Sequence, residues 1–179
     1  MPRTRPELDR AEKEAAVVAA AERQLENGGY GALSVAAIAR ELGVAQNAVY
    51  WYFPSKDHLF VAALAHMGAR AFEAKRRARG DWVSRLLAVV DTLADLYPLL
   101  PAVQERAAVS PVVRDFEREL LSQFRTMLAA GMAGQVPAGE TEVAAETVLA
   151  AVLGAYASGL SKSRRTQMLR HLLERLTSS

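Results

Sequence analysis

The chain has 179 residues, 51% apolar and 23% charged, with 22 Lys and Arg against 20 Asp and Glu for a formal net charge of +2. A chain of this length buries roughly 70% of its unfolded surface, and this composition excludes a disordered or collagenous polymer. It has no cysteine, which removes disulfides, cysteine zinc sites, iron–sulfur clusters and thiol catalysis together and fits a reducing cytoplasm.

Residues 1–10 hold no apolar stretch, and the run Ala15 to Ala21 is bounded by Glu14 and Glu22, so no signal peptide is expected. Thirty-four alanines and the absence of period-two alternation predict helix throughout. The first helix runs from Glu12 to Asn27, with Val18, Ala21 and Leu25 on one stripe, and stops at Gly28-Gly29. Ser34 caps a short helix reaching Leu42, closed by Gly43; a second short helix follows from about Gln46 to Phe53, ended by Pro54. Ser55 caps a long fourth helix, with Asp57 in its first turn and Lys75, Arg76 and Arg77 in its last, both favourable to the helix dipole. Gly80 ends it.

Further helices are expected from Trp82 to Tyr97, from Leu99 to Ala108 and from Pro111 to Met132 after the cap Ser110. The loop Gly134 to Gly139 precedes a helix from Glu140 to Leu160. Ser163 is expected to cap the last, amphipathic helix, which carries Met168, Leu169, Leu172, Leu173 and Leu176. The fold class is therefore all-α, with about nine helices. The longest uncharged stretch, Thr147 to Ser161, has fifteen residues, short of the ~18 that a membrane span needs, and reads as a buried helix.

The charge is unevenly placed. Residues 1–56 hold seven basic and seven acidic side chains, whereas residues 57–79 hold five against two. The basic excess lies around Arg70 to Arg79, with smaller groups at Arg3/Arg5 and Lys162/Arg164/Arg165. Each suits a solvated helix face as well as a polyanion. Arg3 and Arg5 could also form an arm in a minor groove.

The segment Val35 to Phe53 has the spacing of a helix-turn-helix, in which two short helices cross so closely that certain positions must be small, apolar or glycine. Ile38 and Leu42 face inward, Ala39 sits where the helices touch, and Val44 follows the turn. Gly43 falls where a left-handed backbone turns without a Cβ penalty. At ~100° per residue, Val49, Phe53 and Tyr52 gather on one side of the second helix, and Asn47, Ala48, Tyr50 and Trp51 spread over the other. A helix in the major groove reads adenine through side-chain amides and thymine through methyl contacts, while hydroxyls hold phosphate. Gln46, Asn47, Ala48 and Tyr50 match those needs, and Ser34, Trp51, Tyr52 and Lys56 complete the candidate DNA contacts. Trp51 reads either as a side chain covered by a duplex or as one packed on the first or fourth helix. Tyr52 reads as a core position whose hydroxyl reaches phosphate. Lys56 opens the fourth helix, where ammonium and helix N-terminus both favour a phosphate.

The run from Gly31 to Val44 (GALSVAAIARELGV) with Ala45 to Leu59 (AQNAVYWYFPSKDHL) resembles the tetracycline-repressor (TetR) family over about Ala16 to Leu64. Two positions depart from its common pattern. Ala45 stands where many members place a capping Ser or Thr, and Ala48 stands where many place a Thr. The resemblance implies a helix-turn-helix DNA-binding domain, residues 1–56, and a helical effector-binding and dimerisation domain, residues 57–179. It further implies a homodimer whose last two helices pair across a two-fold axis, a small-molecule pocket in each body, and a fourth helix linking body to head.

Small residues at Ala150, Gly154, Ser158 and at Ala151, Ala155, Gly159 form two flat stripes on one helix, suited to a dimer contact or to packing inside one subunit. With Leu169, Leu172 and Leu173 they make the candidate dimer interface. Trp82, Tyr97, Phe116, Phe124 and Met127 are candidate effector contacts, although such stripes serve a core equally well. His66 is either a pocket residue or a structural histidine, and His58 and His171 read as surface residues. No nucleophile–base pair, metal-ligand spacing or phosphate-binding glycine loop is present in the sequence, so no enzyme, metal or cofactor is expected. The expected activity is a DNA-binding regulator, a repressor more readily than an activator, acting on an inverted-repeat operator and modulated by a small, mainly apolar effector. The competing expectation is a helical protein-interaction module that keeps the helix-turn-helix only as scaffold.

Overall fold

A computed structural model describes residues 5–76, 80–92 and 96–177. Arg3, Arg77 and Arg79 lie outside the described residues, as do the side chains of Arg5, Lys75 and Arg76, so the basic cluster and the arm are not placed. The described residues form nine α-helices and two 3-10 turns, with no strand among them. The helices are α1 Arg5–Ala32, α2 Val35–Glu41, α3 Gln46–Tyr52, α4 Lys56–Arg76, α5 Trp82–Thr92, α6 Leu100–Ala107, α7 Pro111–Met132, α8 Thr141–Ala157 and α9 Lys162–Thr177. The 3-10 turns are Tyr97–Leu99 and Ala138–Glu140.

The chain packs as two compact units. Residues 1–69 join 98–116 in the first, and 70–97 join 117–179 in the second. In the first unit, α1 buries Val17, Ala20, Ala21 and Leu25, and its helical geometry breaks at Gly28 and Gly29, the latter at φ +65°. Beyond the break, Ser34 caps α2 as its chemistry predicts: the Oγ accepts from the Ala37 N–H at 3.3 Å. The Ser34 N–H in turn donates to the Gln24 side-chain oxygen at 2.8 Å, tying α2 back to α1. Gly43 has φ +65° and turns the chain into α3, whose cap Ala45 offers no side-chain hydrogen bond. Ser55 caps α4 through the His58 N–H at 3.3 Å. Leu99, Val103, Ala107 and Val113 are buried in the same unit, so α6 and the first turn of α7 belong with the head.

In the second unit, Val83, Leu86, Leu87 and Val90 of α5 meet Leu128 and Met132 of α7, Val148 and Val152 of α8, and Leu169 and Leu173 of α9 in one core. Asp81 caps α5, accepting from the Ser84 N–H at 2.7 Å. Helix α5 is described as far as Thr92, residues 93–95 lie outside the described residues, and Tyr97 stands in a 3-10 turn. The ring of Tyr97 tilts against that of Tyr156, centroids 4.8 Å apart, and the Tyr156 hydroxyl donates to the Val90 carbonyl at 3.0 Å. Burial raises the Tyr156 pKa. The Arg165 guanidinium covers the same ring at 4.5 Å. Helix α9 is capped earlier than its sequence suggests. Its cap is Ser161, whose Oγ accepts from the Arg164 N–H, and Ser163 lies inside the helix, because the chain is already helical at Lys162. No described helix is long and apolar enough to cross a membrane.

Candidate DNA-binding interface

The reading surface follows from the side on which α3 is anchored. Val49 and Phe53 are buried, and α2 and α3 lie in contact through the close crossing that Ala39 permits. With those two anchored, helical geometry turns Gln46, Asn47 and Tyr50 to solvent, and all three are exposed. Ala48 and Tyr52 line a shallow depression of about 310 Å³ together with Val44, Val49 and Leu42 and with Lys13, Ala16 and Val17 of α1. Tyr52 is half-buried there. Trp51 is 64% exposed, so packing on the first or fourth helix does not bury it. Its ring meets Tyr52 edge-on at 5.3 Å, and the Arg10 guanidinium of α1 lies over its face at 4.4 Å.

The same unit holds a polar cluster at the start of α4. Asp57, in the first turn of that helix, accepts two hydrogen bonds from Arg106 of α6, Nε to Oδ1 at 3.1 Å and Nη2 to Oδ2 at 2.8 Å. The Tyr30 hydroxyl donates to the same Oδ1 at 2.7 Å. The Arg106 bonds, with those of Tyr30 and Ser110, hold the Asp57 carboxyl down at about 2 against the opposing effect of burial. Burial, then the bond to Asp57, pushes the Tyr30 phenol up to about 12. The Lys56 ammonium rests over the Tyr30 ring at 4.1 Å, and burial lowers its pKa while Asp57 opposes the shift. Lys56 is thus poised on an aromatic face at the start of α4. The side chain of His66 is half-exposed, and its Nδ1 lies 2.5 Å from the Oε1 of Glu22, a carboxylate buried in α1. His66 is here a structural partner of the head.

The remaining candidates are dispersed. Phe116 belongs to the first unit, whereas Trp82, Tyr97, Phe124 and Met127 belong to the second. There Trp82, Tyr97 and Met127 pack against the core and Phe124 is buried. Of the interface candidates, Ala155, Leu169 and Leu173 are buried within the single chain, and Ala151 and Leu172 pack against its core. Ala150, Gly154 and Ser158 are exposed. One of the two flat stripes is therefore open along its length, because most of the other is consumed in packing α8 within its own unit. Sequence reasoning missed Arg10, Lys13 and Arg106. The first two were legible as an i, i+3 pair one turn before the apolar stripe of α1; Arg106, 49 residues from Asp57, carried no local signal.

Two crossed short helices with a left-handed glycine at the turn and a solvent-facing second helix define a helix-turn-helix regulator of the DNA-binding class. Residues 17–63 match the family model of bacterial regulatory proteins, tetR family. The head is thus a tetR-family domain, and the whole chain carries the fold of solved transcriptional regulators of that family. A transcriptional regulator from Rhodococcus sp. Rha1 aligns at TM-score 0.70 and 25% identity over 92% of this chain and 93% of its own. A TetR transcription regulator from Haloarcula marismortui aligns at 0.72 and 23% identity over 93% and 97%. A Saccharomonospora viridis protein solved in complex with choline aligns at 0.75 and 20% identity over 92% and 96%. A search of the curated proteins finds no match.

Proposed function

We propose that the protein is a transcriptional repressor that binds an inverted-repeat operator as a homodimer. In this reading residues 1–56 read DNA, and residues 57–179 dimerise and bind a small effector that changes operator affinity. The observation that carries it is the outward face of α3, where Gln46, Asn47 and Tyr50 are exposed opposite the buried Val49 and Phe53. The two amides suit the adenine edge, Tyr50 suits phosphate or a base edge, and the Ala48 methyl suits thymine. In this reading Lys56 and Ser34 hold the backbone phosphates that flank the helix. Pairing through the exposed stripe Ala150, Gly154, Ser158 would repeat the head and set two recognition helices ~34 to 36 Å apart.

The effector acts only through differential affinity for two arrangements of the dimer, and a coupling of roughly 1 to 3 kcal/mol changes operator affinity about 5- to 150-fold. The choline complex of the Saccharomonospora viridis protein makes choline a sensible member of an effector panel alongside apolar compounds. Selection of bound sites from random duplexes tests the reading: an inverted repeat is expected, and Asn47→Ala should weaken its binding by about 1 to 3 kcal/mol. The neutral charge of residues 1–56 favours the second reading, an interaction module that keeps the helix-turn-helix as scaffold. Recovery of no sequence at low salt would decide for it, since a DNA binder's affinity rises steeply as salt falls.

A further inference from the structure

A residue outside the helix-turn-helix extends the DNA-binding reading above, on which the inference rests. Arg10 lies on α1, one turn before Lys13, which lines the depression beside Ala48 and Tyr52 of α3. Its guanidinium lies 4.4 Å from the centroid of the Trp51 ring, and among the described residues it has no hydrogen-bond or carboxylate partner. Two other head arginines are neutralised: Arg23 pairs with Glu41 and Arg106 with Asp57. Trp51 is an unusual residue to leave 64% exposed on a seven-residue helix whose cap makes no side-chain bond.

Stacking uses one flat face of a guanidinium and leaves its five N–H donors in the plane, pointing outward in the fork that matches two phosphate oxygens. The indole removes the entropic freedom that an exposed arginine would otherwise lose on gripping a ligand. We propose that Arg10 and Trp51 form a phosphate clamp, in which the indole holds the guanidinium flat at the edge of the recognition helix to grip the DNA backbone beside the groove that α3 enters. This places local positive charge at the reading face of a head that is neutral in sum, and it assigns Trp51 to positioning, not to reading a base.

The test measures binding of the full chain to its selected duplex and to a scrambled duplex, each across a salt series, for wild type, Arg10→Ala, Arg10→Lys, Trp51→Ala and the double alanine variant. Arg10→Ala should weaken binding about 5- to 10-fold on both duplexes alike and flatten the slope of log affinity against log salt by about 0.9 for each phosphate it no longer neutralises. Trp51→Ala should do the same, and the double variant should be no weaker than either single one. Arg10→Lys keeps the charge without the stack and should fall between. Arg10→Ala with unchanged affinity and slope, a loss confined to the selected duplex, or Arg10→Lys equal to wild type would each overturn the clamp while leaving the DNA-binding reading in place. A wild type that binds neither duplex at low salt would overturn both.

Discussion

Arg106 grips Asp57 through two parallel hydrogen bonds at 3.1 and 2.8 Å, so a side chain of α6 is fastened to the first turn of the helix that follows the recognition helix. The contact lies within the first compact unit. Because Asp57 is buried, Arg106→Ala leaves a carboxylate without its main partner. A fully buried pair broken this way costs about 3 to 5 kcal/mol; with Arg106 32% exposed, about 2 kcal/mol is the expected loss. Denaturant unfolding of Arg106→Ala and of Arg106→Lys checks it, the lysine variant recovering only part because it cannot donate in parallel.

The same cluster predicts stability at both extremes of pH. Asp57 is held at about 2 in the folded protein against ~3.9 unfolded, so its contribution is complete above pH ~3.9 and is lost as pH falls toward 2. Tyr30 is raised to about 12 against ~10 unfolded, so its contribution is complete below pH ~10 and is lost as pH rises toward 12. In Tyr30→Phe the alkaline loss should shrink while the acid loss persists. Melting midpoints measured from pH ~2 to ~12 decide this, and an identical alkaline slope in the variant would refute it.

Helix α3 begins without a capping side chain, since Ala45 takes the extended cap conformation and offers no acceptor. Ala45→Ser should therefore stabilise the head by about 1 kcal/mol and sharpen DNA binding by holding Gln46 and Asn47 in place beforehand. Amide hydrogen exchange at residues 47–49 is the direct measurement; unchanged protection there would count against a missing cap.

Gly43 has φ +65° with open space around its would-be Cβ, so Gly43→Ala meets no steric neighbour and tests backbone conformation alone. About 1 to 2 kcal/mol should be lost. Gly131, inside α7 with open space and no positive φ, should respond in the opposite sense, Gly131→Ala gaining about 0.5 to 1 kcal/mol. Thermal unfolding of the two variants gives both signs in one experiment.

Leu173 and Met168 share α9 but not a face: Leu173 is 1% exposed in the core and Met168 lies on the surface. Leu173→Ala should cost about 2 to 5 kcal/mol at every protein concentration, as a core cavity does. Met168→Ala should leave folding within about 0.5 kcal/mol. A Leu173→Ala defect that vanished at high protein concentration would instead place the residue at a subunit contact.

Much of this protein was legible residue by residue. Helix starts at Ser34 and Ser55, the break at Gly28-Gly29, the turn at Gly43 and the inward Val49 and Phe53 all follow from local rules: a hydroxyl that accepts a backbone N–H, a residue without Cβ, a period of ~3.6. Those rules act over a turn of helix, so they also identified the exposed Gln46, Asn47 and Tyr50. They failed at the start of α9, where Ser161 and Ser163 both carry a hydroxyl fit for the one cap.

Packing between distant segments was a different matter. The sequence of α8 presents two equivalent small-residue stripes and that of α9 a row of leucines, and nothing local says which of these faces its own subunit. The joining of α6 to the head, the Asp57–Arg106–Tyr30 cluster and the placing of the Arg10 guanidinium over Trp51 each join residues tens of positions apart. The amino-acid order by itself determined the helices and the class of surface they could offer. Which faces remained for DNA or a partner was decided only by the tertiary structure, because burial is settled by what each helix meets and not by what it is made of.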